Sequence, residues 1–218
     1  MIIVIGSPIG RLHDDQIVAS GTPARAAMAA GAAGSGVQLL GKTGDDATAD
    51  GLLLDLTRGG VGHVALLRDP ARVTPLEPDP AGDDEDPAIV DESASPAQSD
   101  AAERPSLDAA DVDLGLRYLT DFAVLVLAEP AGPDVVQVVA AASRWNAARL
   151  VLVVGAGADL PDDLPADAIV FEAPADDRDG VFATLVGTFA AALDDGADTA
   201  EAFRSSIVAE GWTEAAVE

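Results

Sequence analysis

The chain has no cysteine, only one lysine (Lys42), two histidines and few aromatic residues, about one in twenty-five. Without cysteine there can be no disulfide, thiolate metal site or Cys nucleophile. No apolar run approaches the ~20 residues of a membrane-spanning helix, so no membrane partner is expected. Basic residues are also scarce: 12 Lys and Arg face 38 Asp and Glu, for a net charge of −26. Such a surface repels nucleic-acid phosphates and anionic lipid, so nucleic acid is not an expected partner either. The opening MIIVIG is apolar, but it is short for a secretory leader and lacks a basic start. It reads as a first strand, and a cytoplasmic location is expected. An acidic, lysine-poor surface suits the cytosol of a salt-accumulating halophile, where concentrated cations screen self-repulsion. A GC-rich mesophile with an acidic linker is the alternative, because Ala, Gly, Asp and Arg dominate the composition.

What is present is an alternation of strands and helices. Ile2–Gly6, Val37–Leu40, His63–Leu67, Phe122–Leu127, Leu150–Val154 and Ala168–Phe171 read as strands, being short, β-branched or apolar, and bounded by turn residues. Pro23–Ala33, Ala47–Arg58, Ala110–Leu119, Pro133–Ser143, Val181–Leu193 and Asp198–Ala209 read as helices. Gly34 and Gly59-Gly60 stop the first two, and a capping pair, Asp198 and Glu201, opens the last. This order predicts an α/β fold with a mostly parallel sheet covered by helices on both faces. At 218 residues the chain fits a single domain over 1–218. The stretch at about 75–105 breaks the alternation. It holds ten acids, six prolines and one base, Arg104, and reads as a solvated acidic loop inside the domain.

Several short motifs can be weighed on context. Gly36-Val37-Gln38-Leu39-Leu40-Gly41-Lys42-Thr43 spells a Walker A string, but a phosphate loop needs its strand before the first glycine. Here the strand lies between the glycines, and Gly44-Asp45-Asp46 follows where the helix should already run. The better reading ends a strand at Gly41-Lys42 and uses Asp46 to cap the next helix. Gly155-Ala156-Gly157-Ala158 follows a strand but lacks a third glycine, and Pro161 comes where a dinucleotide helix would start, so it reads as a turn. His13-Asp14-Asp15 reads as a polar loop after the first strand. No metal site is expected.

The segment Gly21–Leu56, GTPARAAMAAGAAGSGVQLLGKTGDDATADGLLLDL, resembles the N-terminal block of the ribokinase-like (PfkB) sugar kinases. In that family an opening Gly-Gly pair, an Asn on the first helix and a strand ending in Gly-x-x-Gly-Asp-Asp precede the second helix. The resemblance covers most of the chain and implies a three-layer α/β/α sandwich. It also implies substrate contacts from Gly21, from Arg25 at the position of the family's Asn, and from the neighbourhood of Asp14. Ser20 stands at the first glycine of the pair. The family's Gly-Ala-Gly-Asp tetrad, with its anion hole and catalytic Asp, matches Gly180-Val181-Phe182-Ala183. This puts Ala183 at the base position and leaves an anion-hole remnant. Only Gly155–Asp179 spans the stretch where the family carries an Asn-x-x-Glu metal motif and its adenine-side strands, and the acidic loop stands where its lid strands would be. The lid and nucleotide-side segments are therefore expected to be reduced. The protein implied is a degenerate member without efficient phosphotransfer and without a cofactor. It would act in binding of a sugar or sugar phosphate, in regulation, or in assembly, for which a homodimer is one form. The alternative is a minimal ATP-dependent carbohydrate or nucleoside kinase with Asp179 as base and Mg-ATP as cofactor.

Overall fold

The computed structural model describes residues 1–78, 104–161 and 164–209. Its centre is a sheet of six strands: β1 (Ile2–Ile5), β4 (Val37–Gly44), β5 (Gly62–Asp69), β7 (Val124–Leu127), β8 (Arg149–Val154) and β9 (Ile169–Glu172). Their order across the sheet is β5-β4-β1-β7-β8-β9, and every pairing is parallel. The inner strands are apolar on both sides because both faces are covered. Ile2 and Val4, with Val124, Val126, Val151 and Val153, meet helices α1 (Gly21–Ala32), α2 (Ala47–Arg58) and α5 (Val181–Asp194) on one face. Ile3 and Ile5, with Leu125, Leu127, Leu150 and Leu152, meet α3 (Ala109–Tyr118) and α4 (Pro133–Asn146) on the other. Helix α6 (Thr199–Ala209) packs on α5. The architecture is the expected α/β/α sandwich. Among the described residues no helix is long and apolar enough to cross a membrane.

Helices α1 and α5 approach closely because Gly187 has no side chain: a Cβ there would lie 2.3 Å from the Ala26 carbonyl oxygen. Gly34 and Gly60 adopt positive φ after α1 and α2, as their places in the sequence suggest. This is the left-handed geometry that glycine provides at a helix C-terminus. Asp46 caps α2 by accepting from the Ala49 amide at 2.9 Å.

The main departure from the sequence reading is a second sheet of three strands. Strands β2 (Ile9–His13) and β3 (Gln16–Ser20) form an antiparallel hairpin where the sequence reading assigns no strand and only a polar loop at His13-Asp14-Asp15, which becomes its turn. Its turn places Asp14 (φ 47°) and Asp15 (φ 59°) in the left-handed region, which suits a two-residue hairpin turn and is tolerated by Asp. Strand β6 (Leu76–Glu77) pairs with the other side of β2, so the lid side retains strands. Residues 79–103 of the expected acidic loop lie outside the described residues. A second departure is that β4 runs on through Gly41-Lys42-Thr43 to Gly44, paired with β5. The strand end expected at Gly41-Lys42 therefore falls two residues later, with the bend at Asp45-Asp46, and the continuing strand rules out a phosphate loop there. The sheet ends at β9, and only residues 173–180 separate it from α5, so the segment that the resemblance places on the nucleotide side is short.

Candidate functional site

Strand order fixes where a site can form. The chain leaves β1 for β4 and β5 on one side, then returns to β7, β8 and β9 on the other. The connections after β1 and β7 therefore diverge, and open parallel sheets hold ligands in the crevice at such a switch point. The residues just beyond these two strands are Ser7 and Glu129.

They form the floor of a cavity of about 200 Å³ whose walls include Pro8, Ile9, Gly21, Thr22, Pro23 and Arg104. The Ser7 amide donates to Glu129 Oε1 at 2.9 Å. The Ser7 hydroxyl is buried and has no hydrogen-bond partner among the described residues. Gly6, at φ 151°, makes the close packing here possible, since a Cβ would lie 2.5 Å from Pro23 Cγ and 3.3 Å from Glu129 Cδ. Burial raises the Glu129 carboxyl from 4.5 to about 7, and the Ser7 hydrogen bond only partly opposes this. A carboxyl that exchanges its proton near neutral pH can accept from a ligand hydroxyl when ionised and donate to one when neutral.

A second cavity of about 210 Å³ adjoins the first through Gly21 and Thr22 and is lined by Arg11, Arg25, Glu77 and residues 175–178. Its arginines are engaged. Arg25 Nη1 donates to the main-chain oxygens of Asp177 (3.2 Å) and Arg178 (2.9 Å). Arg11 donates through Nε and Nη2 to Glu77 Oε2 at 3.1 and 3.0 Å, and through Nη2 to the Arg178 oxygen at 3.1 Å. Desolvation, with Arg11 nearby, lowers the Arg25 pKa, and Asp177, Glu77 and Asp179 partly offset this.

The start of α5 is occupied by the chain itself. The Asp177 carboxylate accepts from the Phe182 amide at 2.9 Å and from the Ala183 amide at 3.0 Å. Those N–H groups are the ones that the resemblance assigns to an anion hole. Gly180 turns the chain at φ 73°, beside Val181. Phe182 packs edge-on to Phe171 at 6.4 Å, and Ala183 is fully buried in the core. Asp179 is exposed and lines neither cavity.

The structure thus brings Gly21 and Arg25 together with the α5 start. Asp14 lies at the hairpin tip with its side chain 90 % exposed, beside His13. Glu129 and Ser7 are not legible as site residues in the sequence, although an acid directly after the apolar run Val124–Leu127 is the one signal it offers. In the sequence Asp177 is one of three acids, with Asp176 and Asp179, just before α5, where acids suit the helix dipole.

These features define an α/β sandwich with a switch-point cleft and a small strand cover. No family model matches the chain, and no curated protein matches it. Solved structures do. Ribokinase from Giardia lamblia superposes with a TM-score of 0.63 at 15% identity, over 96% of this chain and 92% of that one. Ribokinase from Arabidopsis thaliana, complexed with ribose and ATP, gives 0.59 at 14% identity, over 96% and 90%. Fructokinase from Halothermothrix orenii gives 0.56 at 14% identity, over 98% of each chain. The chain has the ribokinase-like fold, here in 218 residues.

Proposed function

We propose that this protein holds a small hydroxylated ligand, a sugar or sugar phosphate, in the Ser7–Glu129 cleft and does not transfer phosphoryl groups efficiently. The observation that carries the reading is the Asp177 carboxylate on the Phe182 and Ala183 amides. Transfer to a substrate hydroxyl needs those donors to face developing negative charge. A resident carboxylate uses the donors and repels the phosphoryl group. The buried methyl of Ala183 offers no base at the position where the resemblance implies one. The cleft keeps what binding requires: a concave volume, a carboxyl that can accept or donate, and an unsatisfied hydroxyl.

Calorimetric titration with Mg-ATP in molar KCl, beside a phosphotransfer assay with ribose, tests this. The expected result is no saturable nucleotide heat and no sugar phosphate formed. ATP-dependent phosphorylation that disappears in Asp179→Asn would overturn it and establish the minimal kinase. One observation favours that second reading. Asp179 is exposed beside the α5 start, with no hydrogen bond or ion pair among the described residues.

A further inference from the structure

The cleft has a second polar pole. Arg104 borders the Ser7–Glu129 cavity, a neighbouring cavity of about 350 Å³ and an open groove of about 890 Å³. Its main chain is anchored by the residues after it: Pro105 is buried, and Leu107 packs on the core beneath α3. The guanidinium is exposed and makes no hydrogen bond or ion pair among the described residues. Of the cations of the adjoining cavity, Arg11 and Arg25 are committed to Glu77 and to the main-chain oxygens of residues 177 and 178, and Arg178 pairs with Asp176 at 3.2 Å. Among the described residues, Arg104 is a cation at the cleft with no hydrogen-bond or ion-pair partner.

Its relation to Glu129 decides what it could do. Both residues border the same two cavities, yet they form no ion pair. A guanidinium and a carboxyl that line one space without closing on each other leave room for a molecule that meets both. At the Glu129 end the partners are hydroxyls, because the carboxyl, the Ser7 hydroxyl and the apolar walls of Pro8 and Pro23 would reject a second anion. At the Arg104 end the complement is an anion, since a guanidinium fork matches carboxylate and phosphate geometry.

We infer that Arg104 is the specificity-determining residue of the cleft, selecting a polyol that carries one anionic group, with its hydroxyl end on Glu129 and Ser7. The inference rests on the proposed ligand-binding reading of that cleft. It assigns recognition of the anion to Arg104 rather than to Arg25. It also accounts for an arginine without an acidic partner among the described residues, in a chain where acids outnumber bases more than threefold.

Titration calorimetry with three probes, ribose, ribose 5-phosphate and ribonate, tests it on the full chain in molar KCl. The proteins are the wild type, Arg104→Gln and Glu129→Gln. Wild type is expected to bind at least one anionic probe about tenfold or more tighter than ribose, the gain typical of a hydrogen bond to a charged group. Which anionic probe gains distinguishes phosphate from carboxylate. Arg104→Gln is expected to erase that gain while leaving the unfolding midpoint unchanged. Equal wild-type affinities, or a gain that survives in Arg104→Gln, overturn the inference. If either of those results is seen while ribose still binds and Glu129→Gln weakens it, the cleft reading stands and only the Arg104 assignment falls. If none of the probes binds wild type, both fall.

Discussion

Replacing Glu129 by Gln should stabilise the protein at alkaline pH while weakening its site. The native carboxyl keeps its proton up to about pH 7, against an ordinary value of 4.5. Each unit of such a shift corresponds to about 1.4 kcal/mol, so ionised Glu129 costs the native state up to about 3 kcal/mol. Proton linkage sets the sign. Between the two values the native state holds a proton that the unfolded chain has released, so stability falls as pH rises through this window. The full cost is present above pH 7 and absent below 4.5. A Gln amide has no proton to lose, and its oxygen can still accept from the Ser7 amide. Glu129→Gln should therefore match wild type near pH 4.5 and exceed it by about 1–3 kcal/mol at pH 8.5. Urea unfolding followed by circular dichroism, at fixed KCl across this pH range, measures the difference. A gap that does not change with pH would refute the argument, and so would a variant less stable than wild type at pH 8.5. The same change should reduce sugar affinity, which would make the carboxylate an instance of stability given up for a site.

Packing and caps set further expectations. Asp177→Ala removes the acceptor for two α5 amides and should cost about 1–2 kcal/mol in chemical unfolding, the usual worth of an N-terminal cap. Gly180→Ala places a Cβ at positive φ, 2.4 Å from Arg25 Nη1; a loss of about 1–2 kcal/mol is expected, with an unchanged midpoint counting against it. Phe189→Ala empties a fully buried position that touches Phe171 and Phe203 and should cost about 3–5 kcal/mol. Dialysis from molar KCl to about 0.1 M lengthens the Debye length from about 3 to about 10 Å, so the acids repel one another over a longer range, and should lower the thermal midpoint of a chain with 38 acids; full stability in low salt would contradict the halophilic reading.

The parts of the fold that can be read from sequence are those set by local pattern. The runs Ile2–Ile5, Val124–Leu127 and Leu150–Val153 are apolar without interruption because helices cover both faces, and an unbroken apolar run is visible in the sequence itself. The hairpin β2–β3 is harder to see. Its strands include Gly10, Arg11 and His13, and its turn uses Asp14-Asp15 in place of the glycine that usually marks such a turn. In the sequence β4 ends too early, at Gly41, because glycine suggests a strand end. The glycine is there for another reason: a Cβ on Gly41 would lie 2.5 Å from the Gly6 oxygen, so neighbouring strands demand it. Glu129 gains its meaning only from Ser7, which is 122 residues away in sequence, and no local pattern carries that pairing. Asp177 lies five and six residues from the amides it caps, close enough for the acid cluster before α5 to hint at its role.

The lone lysine has a practical consequence. Lys42 lies in β4 with its ammonium on Asp111 of α3, each side chain mostly buried at 17% and 20% exposure. The chain thus carries a single ε-amine, and folding hides it. Enzymes that acetylate, methylate or conjugate lysine would find little to act on in the native protein. An amine-reactive probe placed on that residue would be slow while β4 and α3 remain docked and fast once they part, which makes the side chain a built-in chemical reporter of whether the two halves of the sandwich are together.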